Sequence, residues 1–294
     1  MKHFFLITNE NRDPGLAFTN RVQEYIEQKG GTAFSVVTKK ANLRMGAGHD
    51  SAFFSDNRQA IDLRREQIEC IMVFGGDGTF VRASRDMAEY GIPVIGVNLG
   101  TLGYLCELEK NTVFSAIDRI FSDEYVIETR MMLKGMTVET EPKRARALND
   151  IVIHRKDPSQ MIRLKITVNG EYLNTYNADG FIIAAPTGST SYNLSAGGPI
   201  VDPKADMIVL TPINPHELQS RSIVIGSDSS IEVELQPRRP ERDETATVDL
   251  DGDNLTVLKV GDRISICRSE QYVRILRLNR VSFLQILRKK MGGS

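Results

Sequence analysis

The apolar run Cys70-Ile71-Met72-Val73-Phe74 stops at Gly75-Gly76-Asp77-Gly78-Thr79, and a helix-like pattern follows through Ala83 to Tyr90. An apolar strand buried on both faces, a glycine-rich turn and a helix form the unit from which parallel α/β sheets are assembled. This order places the amides of residues 75–79 at the carboxyl edge of a sheet and at a helix N-terminus, where phosphates bind. Glycine permits the close backbone approach that such binding needs. Asp77 is the odd member. A carboxylate among phosphate-cradling amides repels the ligand unless it binds metal or takes a proton from a hydroxyl nucleophile. The bland alternative is a strand-to-helix turn with an aspartate cap. The loop is not a Walker A sequence, because no Gly-Lys-Ser/Thr follows.

The same alternation extends to either side. Strands are expected over 4–8, 33–38 and 93–98, helices over 16–28 and 113–121, and a polar stretch over 42–57. From about Ile127 helical periodicity disappears. Short alternating runs take over at 147–154, 162–168, 181–185, 208–210, 223–225, 231–235, 245–250 and 262–267. Asn169-Gly170 and Asp251-Gly252 suit tight hairpins, because these residues tolerate positive φ. The fold class is therefore α/β plus all-β. Residues 1–126 form an α/β domain with a parallel sheet and 127–272 a β-rich domain. Residues 273–294 form a terminal segment returning to the first domain. Within it 283–287 reads as a short helix, with Arg288-Lys289-Lys290 suiting its C-terminal dipole.

With 37 Lys+Arg against 38 Asp+Glu, the net charge is −1. No global field draws the chain to nucleic acid or an acidic membrane, so an anionic ligand must be held by local geometry. Cys70, Cys106 and Cys267 are widely spaced and form no Cys-x-x-Cys, which fits a reducing cytoplasm better than a disulfide framework or a zinc ribbon. The longest apolar runs fall far short of the ~20 residues of a membrane helix. Residues 1–7 read as a first strand and not as a signal segment, because polar residues 8–11 end the run.

Several patterns are set aside. Gly46-Ala47-Gly48-His49-Asp50-Ser51 echoes a dinucleotide fingerprint but follows no strand, and reads as a mobile loop. Asp249, Asp251 and Asp253 suggest a calcium loop, yet Gly252 is misplaced for one and a hairpin turn is the better reading. His3, His49, His154 and His216 form no His-x-x-x-His pair, so no metal-ligand set is assigned.

A second constellation runs from Asn177-Ala178-Asp179-Gly180 through an apolar strand into Pro186-Thr187-Gly188-Ser189-Thr190-Ser191-Tyr192 and on to Ser195-Ala196-Gly197-Gly198. Hydroxyls and amides there can bond ribose and phosphate oxygens, and Tyr192 offers a flat face. An ordinary polar loop is equally compatible with the composition. Asn149-Asp150, just before apolar 151–153, pairs an amide with a carboxylate that can grip a diol; a polar strand start is the alternative.

Taken in order, the loop 75–79, the segment Asn98-Leu99-Gly100-Thr101-Leu102-Gly103-Tyr104-Leu105, the pair Asn149-Asp150, and Asp179-Gly180 with residues 186–192 resemble the NAD kinases. Thr211-Pro212-Ile213, Pro215-His216 and Arg221 are similar to that family's pattern as well. The resemblance spans nearly the whole chain and is weakest over 39–69. Its hydroxyl-rich second motif is the specific one, since Gly-Gly-Asp-Gly also occurs in lipid and sugar kinases.

The resemblance implies a Rossmann-like N-terminal domain, a β-sandwich-like C-terminal domain and a site between them. It also implies transfer of a phosphoryl group from ATP, or from polyphosphate, to the 2′-hydroxyl of the adenosine ribose of NAD. Asp77 matches the general base, with Gly75, Gly76 and Thr79 in its loop. Gly78, Arg82, Asn149, Asp150, Gln160, Asn177, Asp179, Thr187, Thr190, Ser191, Tyr192, Asn193, Leu194, Ser195 and Asp253 fall at dinucleotide-contacting positions. Many relatives carry Glu where Asp150 stands, Ala at Ser191, Thr at Ala185 and Gln at Asp253. Mg²⁺ or another divalent cation is expected with ATP, and the assembly is expected to be a homodimer or homotetramer. Competing readings are a lipid or sugar kinase and a catalytically silent dinucleotide sensor.

Overall fold

The computed structural model describes residues 1–38, 63–64, 66–100, 103–138, 142–217, 219–238, 244–279 and 282–292. The fingerprint-like loop 46–51, the whole polar stretch 42–57, and Thr101 and Leu102 lie outside the described residues. Two compact units emerge. One is made of the chain through Thr129 together with Tyr272 onward, the other of Arg130–Gln271.

The first unit runs β1 (His3–Thr8), α1 (Ala17–Gln28), β2 (Thr32–Val37), β3 (Cys70–Gly75), α2 (Asp77–Met87), β4 (Val94–Asn98), the short β5 (Leu108–Glu109) and α3 (Val113–Phe121). β1 pairs in parallel with β2 and β3, and β3 with β4. Every residue of β3 and β4 is buried, as an apolar strand covered on both faces should be. On one face Phe4, Leu6, Met72, Phe74 and Ile95 meet Phe18, Val22 and Ile26 of α1 and Ala116, Ile117 and Ile120 of α3. The four-residue spacing of the α1 set makes the stripe that covers a sheet.

The second unit is antiparallel. Its strands are β6 (Val126–Thr137, from Arg130 onward), β7 (Arg144–Ala147), β8 (Asp150–Arg155), β9 (Ile162–Val168), β10 (Glu171–Ala178), β11 (Gly180–Ala184), β12 (Met207–Ile213), β13 (Ile223–Gly226), β14 (Ile231–Gln236), β15 (Thr245–Leu250), β16 (Asp253–Lys259) and β17 (Arg263–Arg277, through Gln271). One sheet has the order β13-β12-β11-β8-β15-β16, and β10, β9, β14 and β17 line up in a second. Their inner faces share one core that includes Ile151, Ile153, Phe181 and Ile183 from the first and Leu164, Ile166, Val233 and Ile264 from the second. That is a sandwich. Both turns read from sequence are present. Asn169 and Gly170 have φ of 52° and 82°, and Asp251 and Gly252 have 50° and 82°, the paired positive values of a type I′ hairpin.

Local structure departs from the sequence reading in several places. α2 begins at Asp77, with Gly76 extended as its cap, so the glycine loop is already the first helical turn. The run 147–154 is two strands, interrupted at Leu148-Asn149. The β-rich unit also contains helix: a 3₁₀ turn at Pro186–Thr190 and α4 (Tyr192–Ser195). Pro186 opens that turn, where a missing N–H costs nothing. Finally α5 extends over Phe283–Lys290, held by a Ser282/Gln285 capping box. Polar strand β10 escaped notice because it lies at a sheet edge with most of its side chains exposed or half-buried.

Candidate active site

In the first unit the loop 75–79 joins β3 to α2. A Cβ on Gly75 would fall 2.6 Å from Thr79 Oγ1, so packing inside the chain demands that glycine. Gly76 and Gly78 differ. A Cβ on Gly76 would meet nothing within 4 Å, and one on Gly78 only Arg82 Nη2 at 3.9 Å. Neither has positive φ. What their hydrogens leave is open space beside backbone amides, which suits a phosphate-sized anion. Buried Thr79 is oriented by Asn9, whose Nδ2 donates to its Oγ1 at 3.1 Å.

Asp77 is half-buried and held by a facing segment of the same unit. Tyr104 N–H donates to its Oδ2 at 2.6 Å, while Leu105 and Cys106 N–H donate to Oδ1, each at 3.2 Å. A carboxylate has about four lone-pair sites, so three donors fix its orientation and leave Oδ2 free to accept one more proton. This arrangement is not an N-cap. Gly103 makes it possible, because a Cβ there would lie 2.1 Å from the Asp77 carboxylate. Arg277 and Glu107 brace the same segment: Arg277 Nη1 donates to Leu105 O at 3.2 Å, and Glu107 Oε1 accepts from Leu278 N–H at 3.1 Å.

In the second unit, Asn149-Asp150 enters β8 directly beside the hydroxyl-rich loop. Ala185 N–H donates to Asn149 O at 2.8 Å, and a Cβ on Gly188 would fall 2.1 Å from that same oxygen. Three buried side-chain oxygens here have no hydrogen-bond partner: Asn149 Oδ1, Asp150 Oδ2 and Thr187 Oγ1. Buried polar atoms are ordinarily bonded, so three neighbouring orphans make this cluster a candidate ligand site. Burial, reinforced by the Asp251 carboxylate, pushes the Asp150 carboxyl up to about 7. After them the loop presents exposed Ser191, Tyr192, Leu194 and Ser195 with half-buried Thr190.

Other assigned residues are engaged within the protein. Asn193 is fully buried, with Nδ2 donating to Ser189 O and Pro199 O and Oδ1 accepting from Thr211, so its side chain holds the loop. Asp179 pairs with Arg155 at 3.0 Å and accepts from Asn214. Asn177 Nδ2 donates to Glu217 and Gln160 Nε2 to Asp157. Asp253 is buried at the start of β16, and Arg82 is half-buried on α2. Asp249, from the calcium-like triplet, accepts from His154 Nε2 at 2.8 Å; that bond holds the imidazole above its ordinary pKa. Sequence reasoning missed the roles of Gly103 and Asp251. Nothing local marks either, since each acts on residues far away in sequence.

The fold and these features define a class: a two-part protein whose parallel α/β unit holds a carboxylate in a glycine-rich strand-to-helix loop and whose antiparallel unit sets three unpartnered buried oxygens beside a hydroxyl-rich loop. Models of the ATP-NAD kinase N-terminal and C-terminal domains match residues 4–125 and 148–278. The chain is 50% identical to an NAD kinase of Agathobacter rectalis, across 100% of this chain and 99% of that one. It is 40% identical to an NAD kinase of Lachnoclostridium phytofermentans, across 99% of both. The chain belongs to the NAD kinase family. Among solved structures its fold is similar to a yeast NADH kinase complexed with NADH (TM-score 0.81, 20% identity, 99% of this chain and 88% of that one). It is also similar to an Archaeoglobus fulgidus NAD kinase in complex with ATP (TM-score 0.71, 21% identity, 99% and 98%).

Proposed function

We infer that the chain transfers the terminal phosphoryl group of ATP to the 2′-hydroxyl of the adenosine ribose of NAD, giving NADP and ADP. The observation that carries this reading is the match of both family domains, together with half-identity to an NAD kinase over the whole chain. The hydroxyl-rich loop and the three orphaned oxygens suit a dinucleotide better than a lipid, and the intact Asp77 argues against a silent sensor. Assaying NAD, NADH, diacylglycerol and sphingosine against ATP and polyphosphate tests it. NADP formed from NAD and ATP is the expected outcome; lipid phosphorylation, or NAD binding without transfer, would overturn it.

We assign Asp77 as general base. As the 2′-oxygen forms its bond to the terminal phosphorus, its proton passes to Asp77, and the bond from that phosphorus to the bridging oxygen breaks toward ADP. A carboxylate is a weak base, but it receives this proton only as the O–P bond forms. Positioning and charge neutralisation supply most of the remaining acceleration. Loop amides at residues 75–79, with Arg82, hold phosphates. Asn149, Asp150 and Thr187 accept from ribose hydroxyls and adenine, Tyr192 stacks, and the remaining assigned positions shape the loop around them. The phosphate oxygens of ATP would carry a divalent cation such as Mg²⁺, which would supply charge neutralisation during the transfer. Free thiols at Cys70, Cys106 and Cys267 support a cytoplasmic setting, and no helix among the described residues is long and apolar enough to cross a membrane.

The raised Asp150 carboxyl gives a pH prediction. Its native value, about 7, exceeds the ordinary 3.8. Between these values the native state keeps a proton that the unfolded chain has lost, so this group's contribution to stability falls as pH rises through that window. Ribose hydroxyls donate to the ionised form, so NAD binding releases the proton. Affinity for NAD is expected to rise with pH to about 7 and then level off, by up to about tenfold per unit below the break. Calorimetry across this range checks it. A flat profile, or an Asp150→Asn variant with an unchanged break, would remove Asp150 from the site.

We also propose a homodimer or homotetramer assembled through the β-rich unit. Its first sheet ends in edge strands β13 and β16, where Val224 and Val257 are exposed, and unpaired apolar edges favour pairing with another copy. Light scattering after size exclusion should give at least twice the chain mass; an active species of one chain mass, unchanged on dilution, would defeat the proposal.

A further inference from the structure

Asp251 occupies the first position of the β15–β16 turn, and its carboxylate reaches across to a distant segment of the chain. It accepts from three consecutive backbone amides that lead into β8: Leu148 N–H at 2.9 Å on Oδ2, and Asn149 and Asp150 N–H at 2.7 Å and 3.3 Å on Oδ1. In return Asp251 N–H donates to Asp150 O at 3.1 Å. These bonds fall at the break between β7 and β8, where the amides leave the sheet ladder. The arrangement is electrostatically unfavourable, because it sets a second carboxylate beside the buried Asp150. For the turn alone asparagine would serve as well, since it also tolerates a φ of 50°. What asparagine lacks is a second acceptor oxygen, and three donors need both.

We propose that Asp251 is a positioning residue: by gripping the amides of 148–150 it fixes the backbone from which Asn149 Oδ1 and Asp150 Oδ2 face the dinucleotide. This rests on the reading that Asn149 and Asp150 hold NAD. Without the grip the two side chains still fold into the sheet, but their oxygens lose their fixed spacing. The effect falls on NAD affinity and leaves the phosphate loop untouched.

The test uses Asp251→Gly, which keeps the positive φ and removes both acceptors, and Asp251→Asn, which keeps the turn and one acceptor. Asn149→Ala runs in parallel, with thermal unfolding recorded for each variant. For Asp251→Gly we expect the KM for NAD to rise about 10–100-fold, with KM for ATP and kcat within about twofold of wild type. Asp251→Asn should lie between, at about 3–10-fold. If the glycine variant does not fold, the asparagine variant decides. A wild-type KM for NAD in the folded variant, or equal losses in both KM values and kcat, would overturn the positioning role. Should Asn149→Ala itself leave the KM for NAD unchanged, the assignment of the dinucleotide site fails, and this inference falls with it.

Discussion

Asp77→Asn is expected to lower kcat by about 10²–10⁴-fold while NAD still binds, because the amide keeps the side chain's size but cannot take the 2′-hydroxyl proton. Asp77 accepts from Tyr104 through one oxygen and from Leu105 and Cys106 through the other. An asparagine has a single acceptor and turns its NH₂ toward one of these groups, so a stability loss of about 1 kcal/mol should accompany the kinetic defect. The two effects separate cleanly, since 1 kcal/mol leaves a domain of ordinary stability folded. Steady-state rates, calorimetry with NAD and a thermal melt on the same preparation measure all three quantities. A folded variant with nearly wild-type turnover would sink the general-base role.

The second large effect is expected at a residue with no chemistry of its own. In Gly103→Ala the new methyl would sit 2.1 Å from the Asp77 carboxylate, a separation that real carbon and oxygen atoms do not tolerate. Either the carboxylate swings away or residues 103–106 shift, and in both cases the three N–H bonds to Asp77 are disrupted. A displacement near 1 Å at a reacting group costs about 10²-fold in rate, and kcat should fall by that order. The KM for NAD should change far less than kcat, since most of the proposed dinucleotide contacts lie in the other unit. Gly76→Ala provides the contrast. Its methyl meets nothing within 4 Å in the protein, so the variant should fold normally and lose affinity only for ATP. If Gly103→Ala keeps full kcat, the 103–106 segment does not hold the base.

Periodicity alone carried the elements whose environment is local. β3, β4 and α3 appear within a residue of where apolar spacing placed them, because a strand covered on both faces and a helix with one apolar stripe write their burial into consecutive residues. Both type I′ turns were legible for the same reason, since Asn-Gly and Asp-Gly carry their φ preference within two residues. The loop at 75–79, with Asp77 as its anomaly, is legible as a glycine cluster between a strand and a helix.

What tertiary structure alone decided is how each polar group is used. The sequence marks Asp77 as a carboxylate in a loop, but three amides some 27 to 29 residues away determine how it is aimed. Asn193 and Asn149 are the same residue type, each beside the hydroxyl-rich loop. Yet Asn193 has its amide fully bonded inside the protein, while Asn149 keeps a buried oxygen without a partner. Asp251 read as a turn residue and proved to grip a strand about a hundred positions earlier. Backbone preference and hydrophobic burial are properties of near neighbours, so a linear reading recovers them. Hydrogen-bond satisfaction and steric exclusion depend on atoms brought together only when the chain has folded, and these separate the residues that hold the site in place from those left open to a ligand.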